Sequence, residues 1–290
     1  MSKDLAQIIL TVERAASDLR RKNIVKLIMQ NKQILLIKSG EYFAVGEKLD
    51  PFDHPAVKLM KIAGLLPIAV IAEAAEGDFL SVEEAAINQY PQDLAACLEK
   101  VSEAKVPLKN AESARIIAFR PKFGHDEHLA IIIGDPASEP APWVRVHSSC
   151  VTGDVLASLR CDCGNQLQKA IAMMSEKGAG VLLYLSQEGR GIGIANKLRA
   201  YCLQDGGLDT LQANEALGFA GDERDFAVAA KMLKQLGIAK ISLLTNNPLK
   251  ITALGDLGIQ IVERIPLISE KNIHNENYLL TKAEKMGHQF

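Results

Sequence analysis

Three of the five cysteines in this 290-residue chain stand close together, at Cys150, Cys161 and Cys163. Thiolates are soft ligands suited to zinc; structural zinc takes four protein ligands, whereas catalytic zinc takes three and keeps one position for water. The C-x10-C-x-C spacing supplies three. Cys161 and Cys163 flank a single residue, so a turn must aim both sulfurs the same way, and Gly164 eases that turn. Three buried free thiols would also fit the spacing. So would a closed structural site with His147 as fourth ligand, although a strand puts His147 on the opposite face from Ser148. The spacing favours the open site.

Three further clusters could do chemistry. Glu188-Gly189-Arg190-Gly191-Ile192-Gly193 lies between an apolar run and a helical pattern. It can be merely a tight connection. Backbone amides at a helix start also favour an anion, and a carboxylate such as Glu188 complements the N1–H and 2-amino donors of a guanine edge. Arg190 can pair with phosphate or stack on a ring. Asp222-Glu223-Arg224-Asp225 reads first as a capped helix start, where acids are favoured; Arg224 opposes the dipole there and points to an anionic ligand. Thr245-Asn246-Asn247-Pro248-Leu249-Lys250 is either an ordinary cap or a phosphate cradle of hydroxyl, helix N-terminus and ammonium. Ligands of α/β proteins gather at strand C-ends, where all of these fall.

The elements that would position them are read from periodicity. Residues 4–30 read as one or two helices, with Ile8, Ile9, Val12, Ala15, Ala16 and Leu19 in a stripe. A hairpin is expected from Lys32 to Val45, a buried strand over 65–72, a capping-box helix start at Ser81, and another helix over 91–104. Residues 105–110 form a polar connection, so the expected domains are 1–104 and 105–290. Strands follow over 114–119, 129–133 and 144–147, around a proline-rich loop at 135–142. Asp154 is expected to cap a short helix over 155–160. Helices over 166–177, 194–204, 226–236 and 249–256 then alternate with strands over 180–185, 241–245 and 259–262. This is an α/β (mixed α+β) chain with parallel pairing in its C-terminal half and a smaller α/β N-terminal domain.

Net charge is −2, with 48% hydrophobic and 23% charged residues, which gives no bulk nucleic-acid binding surface. No apolar run reaches membrane-span length, and Met1-Ser2-Lys3-Asp4-Leu5 opens no signal peptide, so a cytoplasmic protein with no membrane partner is expected. The odd cysteine count argues against a disulfide framework. Cys97 and Cys202, in helical patterns, read as small buried hydrophobes. Residues 1–100 carry no metal cluster, phosphate loop or nucleophile signature, and His54 reads as structural or solvated.

Taken together, Arg145-Val-His-Ser-Ser-Cys150-Val-Thr-Gly-Asp154, Arg160-Cys-Asp-Cys-Gly164, Gln187-Glu-Gly-Arg-Gly-Ile-Gly193, Asn196-Lys-Leu-Arg-Ala-Tyr201, Asp222-Glu-Arg-Asp-Phe226, Leu244-Thr-Asn-Asn-Pro248 and Lys282-Ala-Glu-Lys-Met-Gly-His288 resemble GTP cyclohydrolase II over roughly residues 101–290. The resemblance implies zinc- and magnesium-dependent opening of the guanine imidazole ring of GTP at C8. Formate and pyrophosphate leave, giving 2,5-diamino-6-hydroxy-4-(5-phosphoribosylamino)pyrimidine, the first step of riboflavin synthesis. It implies one catalytic zinc per chain on Cys150, Cys161 and Cys163, and Mg2+ with the triphosphate. GTP contacts would come from Arg145, Val146, His147, Ser148, Ser149, Gln166, Glu188, Gly189, Arg190, Thr210, Thr245 and Lys250. Asp222 would accept a proton, and Arg224 would act at the α-phosphate, as nucleophile or, since a guanidinium stays protonated, as electrostatic stabiliser. Tyr201 would take a catalytic place, and a homodimer is expected. Ser149, Ser186 and Ser242 depart from the family's common Glu, Arg and Arg. Those departures motivate two alternatives: a paralogue acting on a related nucleotide or without pyrophosphate release, and a non-catalytic zinc- and nucleotide-binding regulator. Residues 12–20 faintly resemble the opening of dihydroxybutanone phosphate synthase without its acidic metal motif, so no second activity is expected there.

Overall fold

The computed structural model describes residues 3–29, 33–38, 54–73, 76–268 and 272–287. In chain order the elements are α1 (Lys3–Arg20), β1 (Val25–Ile28), β2 (Gln33–Lys38), α2 (Pro55–Ile62), β3 (Ala69–Glu73), β4 (Leu80–Glu83), α3 (Glu84–Ala96), β5 (Leu98–Lys105), β6 (Arg115–Pro121), β7 (His128–Ile133), β8 (Trp143–Ser148), α4 (Cys163–Lys177), β9 (Gly180–Leu185), α5 (Gly193–Asp205), α6 (Thr210–Ala216), α7 (Ala227–Gln235), β10 (Lys240–Leu244), α8 (Pro248–Asp256), β11 (Gln260–Ile265) and α9 (Glu276–Met286). They divide into two compact units: Met1–Cys97 with Ala195–Glu223, and Leu98–Ile194 with Arg224–Phe290. The fold is mixed α/β with two sheets.

In the first unit the sheet order is β3-β2-β1-β4. β1 runs antiparallel to β2 and parallel to β4, and β2 runs antiparallel to β3. α1 buries the stripe Ile9, Val12, Ala15, Ala16 and Leu19, each at most 1% exposed, the i, i+3, i+4 pattern of an amphipathic helix. That helix ends at Arg20, with Lys22 in the left-handed conformation (φ 67°), and residues 25–28 form a strand instead of continuing it. Val25 and Leu27 are buried alternately with half-buried neighbours, so here the period of two prevails over helix propensity.

Two other expectations are corrected. Ser81 lies inside β4, and α3 starts at Glu84 without a side-chain cap. The helix expected over 91–104 is the tail of α3, which runs through Pro91 to Ala96; β5 begins at Leu98. The second arm of the expected 32–45 hairpin lies outside the described residues, while β2 pairs with β1 and β3. His54 caps α2, its Nδ1 accepting from the Ala56 amide at 3.1 Å. Cys97 is buried as expected, whereas Cys202 is exposed on α5.

The second unit holds a seven-stranded sheet in the order β11-β10-β8-β9-β7-β6-β5. β11, β10, β8 and β9 are parallel; β7, β6 and β5 continue antiparallel. β9 is apolar along its length, and both alternating sets of its side chains are almost all buried, as in a strand covered on two faces. One face packs Ile131, Ile133, Leu182 and Leu244 against Leu167, Ala170, Ile171 and Met174 of α4. α7 packs against β9 and β5, burying Ala229, Ala230, Met232 and Leu233. β5 reaches Lys105 and pairs along β6, so this sheet begins ahead of the expected 104/105 boundary. β8 lies between β10 and β9, and its C-terminal end leads straight to Cys150.

Candidate functional site

The sulfurs of Cys150, Cys161 and Cys163 all lie within 4.8 Å of one another. Cys150 and Cys161 are buried and their sulfurs are 3.7 Å apart. Two local devices gather them. After β8 the chain makes a wide π-type turn, Val151–Val155, and the Gly153 amide donates to the Cys150 Sγ at 3.4 Å. Such turns are uncommon and concentrate at functional sites. Cys163 opens α4, with Asp162 just before it. The expected helix over 155–160 is therefore corrected to a turn over 151–155, and Asp154 serves it from within.

Room is made by two glycines. A Cβ on Gly153 would lie 2.8 Å from the Cys161 Sγ and 3.2 Å from the Cys150 Sγ; one on Gly164 would meet the Gly153 carbonyl oxygen at 2.3 Å. Sharing a hydrogen bond with Cys150 pushes the Cys161 thiol up to about 11, and ionising three sulfurs this close requires a nearby cation. Three convergent soft donors in a glycine-lined cradle fit a zinc ion with three protein ligands.

A buried polar chain supports this turn. The Arg145 guanidinium donates from Nη1 to the Leu244 carbonyl at 3.0 Å and from Nη2 to Gln166 Oε1 at 2.5 Å. Gln166 Nε2 in turn donates to Asp162 Oδ2 at 2.7 Å. Asp162 is 0% exposed and Arg145 6%. Burial pushes the Arg145 pKa down to about 10, partly countered by Asp162. This chain ties the residue between two of the cysteines to β8 and to the end of β10.

Asp154 organises the other side. It accepts from the Cys150 amide at 2.9 Å, from the Tyr184 hydroxyl at 2.9 Å, and lies 3.1 Å from His147 Nε2. The His147 and Tyr184 rings stack at 5.7 Å. Burial lowers the His147 pKa against the opposing pull of Asp154. His147 thus turns its Nε2 to a carboxylate, and the metal-ligand group found among the described residues contains only the three cysteines. The open reading of the triad is the one this geometry favours.

The strand ends carry cations and unsatisfied polar atoms. Lys250, 4% exposed, donates to the Val146 carbonyl at 2.7 Å. Thr245 Oγ1 accepts from the Asn247 amide at 3.0 Å, and Asn247 Oδ1 caps α8 at Leu249. Asn246 clamps Leu267 through both its amide and its carbonyl. Buried atoms left without a hydrogen bond include Arg145 Nε, His147 Nδ1, Ser148 Oγ, Gln187 Oε1 and Asn247 Nδ2. Unpaired buried polar atoms are rare in proteins, and these cluster on β8 and just beyond β9 and β10, where a polar ligand would pair them.

In the glycine-rich turn, Gly189 and Arg190 both adopt left-handed backbone conformations. Glu188 accepts from the Val151 amide at 2.6 Å and the Gly189 amide at 2.9 Å, which links this turn to the one after Cys150. Arg190 stacks over Tyr278 of α9 at 5.6 Å. The segment 222–226 is irregular ahead of α7 and does not form its first turn; Asp225 Oδ1 caps the Ala227 amide at 2.7 Å. Arg224 therefore lies ahead of α7 and does not oppose the helix dipole from within, contrary to the expectation from sequence.

The second unit brings together Arg145, Val146, His147, Ser148, Ser149, the three cysteines, Gln166, Glu188, Gly189, Arg190, Arg224, Thr245 and Lys250. Tyr201, Thr210 and Asp222 belong to the first unit, where Thr210 opens α6 behind an Asp209–Gln212 capping box. Of the three departures, Ser149 donates its amide to Leu185, Ser186 donates its amide to His128 Nδ1 at 3.1 Å, and Ser242 is a buried position of β10. Asp154, Asp162 and Tyr184 escape sequence reasoning. Their only signal is adjacency to the cysteines, and in the case of Tyr184 a hydroxyl in an otherwise apolar strand.

A mixed α/β sheet with a thiol triad after one strand and a buried lysine beyond its neighbour defines a protein that could hold a metal ion beside a buried ammonium. The chain belongs to the GTP cyclohydrolase II family, whose model matches residues 99–266. It is 52% identical over 246 residues to a GTP cyclohydrolase-2 of Azospirillum brasilense, covering 81% of this chain and 64% of that protein's length. It is 53% identical over 191 residues to GTP cyclohydrolase-2 of Escherichia coli, covering 66% of this chain and 97% of the relative. A solved two-domain 3,4-dihydroxy-2-butanone 4-phosphate synthase from A. baumannii aligns over 89% of this chain and 99% of its own, at 16% identity and a TM-score of 0.38. No described helix is long and apolar enough to cross a membrane.

Proposed function

We propose that this chain is a GTP cyclohydrolase II: it opens the imidazole ring of GTP at C8, releasing formate and pyrophosphate and leaving the diaminopyrimidine ribosyl phosphate from which riboflavin is made. The observation that carries the reading is the convergence of the Cys150, Cys161 and Cys163 sulfurs within 4.8 Å, in a chain that belongs to this family. Cys150, Cys161 and Cys163 would hold a zinc ion, which when bound would supply Lewis acidity and a water activated near neutral pH.

The remaining residues of the second unit do the work of holding and orienting. Asp154 and the Arg145–Gln166–Asp162 chain hold the two turns that carry the cysteines. Lys250 and Arg224 present positive charge to the triphosphate, which Mg2+ accompanies, and stabilise the charge that develops as pyrophosphate leaves. A buried guanidinium stays protonated near neutral pH even at about 10. A guanidinium is a poor nucleophile because it carries its proton at any ordinary pH, so electrostatic stabilisation is the role proposed for Arg224. Glu188 and Arg190 are proposed to read the guanine edge and ring. The roles of Asp222 as proton acceptor, and of Tyr201 and Thr210, rest on the family resemblance. The first unit is proposed to be non-catalytic.

The test is the purified chain with zinc, Mg2+ and GTP, with formate and pyrophosphate quantified. Equimolar release supports the reading. Formate without pyrophosphate identifies the paralogue suggested by Ser149, Ser186 and Ser242. Neither product from zinc-loaded protein rules out the activity.

A further inference from the structure

Phe226 is the residue immediately before α7 and is only 6% exposed. An ordinary core phenylalanine packs against aliphatic groups. This one has two cations over its ring: the Arg224 guanidinium at 5.5 Å from the centroid and the Lys250 ammonium at 5.9 Å. Both lie within the roughly 6 Å over which the negative face of an aromatic ring attracts a cation. All three residues belong to the second unit.

The two cations reach the ring from different directions in sequence. Arg224 comes from the loop pinned by the Gln187 Nε2 hydrogen bond to the Asp225 carbonyl. Lys250 comes from the first turn of α8, and its ammonium is also held by the Val146 carbonyl at 2.7 Å. Concentrating like charge in a buried place is costly without a counter-charge. The ring quadrupole offsets part of that cost. Arg145 and His147 feel these two cations as well, alongside the carboxylates of Asp162 and Asp154.

We infer that Phe226 is a positioning residue that holds Arg224 and Lys250 as a preformed clamp for the phosphate chain of the substrate. The inference rests on the proposed function for the identity of that substrate, but the clamp itself requires only a polyphosphate. Phe226 touches no reacting atom. It acts by sparing the two long side chains the ordering that binding would otherwise demand, which is the usual gain from preorganisation.

The full-length protein carrying phenylalanine, 4-fluoro-, 3,5-difluoro- or 3,4,5-trifluorophenylalanine at position 226 tests this. Fluorine withdraws the negative charge of the ring face while changing its volume little, so a packing role is left almost untouched. Dissociation constants would be measured for inorganic tripolyphosphate and for guanosine, with thermal melting as a check on folding. Two cation–π contacts weakened together predict a stepwise rise in the tripolyphosphate constant, of about tenfold across the series, with guanosine unchanged. A flat tripolyphosphate series, a parallel shift for guanosine, or no tripolyphosphate binding by the parent protein overturns the clamp. If the series behaves as expected but GTP yields no formate, the clamp stands and the proposed activity falls. If GTP is opened normally while the series is flat, the activity stands and the clamp falls.

Discussion

Gly153→Ala isolates the metal cradle from the fold. The added Cβ would sit 2.8 Å from the Cys161 Sγ, 3.1 Å from the Cys163 Cβ and 3.2 Å from the Cys150 Sγ. Comfortable nonbonded contacts begin near 3.5 Å, so at least two thiols must move by several tenths of an ångström. The backbone itself does not resist, since the φ of Gly153 lies outside the left-handed region and an alanine in a helical turn is favoured over glycine by roughly 0.5–1 kcal/mol. Without a metal ion the thiols can rotate aside. With one bound they cannot, so the overpacking cost, about 1–3 kcal/mol, falls on the metal-bound state. At 1.4 kcal/mol per tenfold this weakens zinc binding by roughly five- to 150-fold. Competition with a chromophoric chelator would read the affinity, and melting of the zinc-free protein should match the parent within a few degrees. Zinc affinity equal to that of the parent would mean that Gly153 does not line the site, and the reasoning from the cradle would fail.

Two further predictions follow from other parts of the molecule. Burial pushes the His128 imidazole down to about 4 from 6.5, so between those values the unfolded chain binds a proton that the folded chain refuses. The stability this neutral histidine permits is complete above about pH 6.5 and is lost as pH falls toward 4. Linkage gives a loss of about 2 kcal/mol between pH 7 and pH 5. Urea unfolding of His128→Asn, which keeps an acceptor for the Ser186 amide, should show a pH dependence flatter by that amount, and an identical slope would count against the buried neutral form. Deleting residues 1–97 removes most of the unit that also contains 195–223, uncovering Phe219 (2% exposed) and taking Lys61 from Glu223 at 2.7 Å. Phe219 alone is worth about 1.5–3 kcal/mol, so the truncated chain should melt roughly 3–12 °C lower or aggregate; an unchanged, monodisperse protein would show the region to be dispensable.

What the chain revealed before folding was uneven, for physical reasons. The C-terminal alternation of strands and helices was legible because buried parallel strands such as Gly180–Leu185 are continuous apolar runs and the helices between them carry clear stripes. Glycine stops such as Gly178, in the left-handed cap of α4, marked the ends. The N-terminal half misled where strands are short: Val25–Ile28 follows a helix of similar apolarity, and Leu98–Lys105 is polar and mostly exposed, so its strand character comes from pairing with β6. The cysteine triad was legible from spacing, but its supports were not. Asp162 and Gln166 are one helical turn apart, yet their link to Arg145 crosses 21 positions, and only the sheet order brings it about. The acidic neighbours of Arg224 suggest a helix start. In the fold it faces a ring two residues away, a contact that no periodicity reports.

The central claim is that the cysteine triad holds the metal on which ring opening depends. Zinc titrated back into chelator-stripped protein, with the rate of formate release from GTP followed at each addition, tests it directly. The rate should climb from near zero in proportion to zinc and level off at one ion per chain. Full formate release from the stripped protein, or saturation with zinc and no formate, would contradict the account.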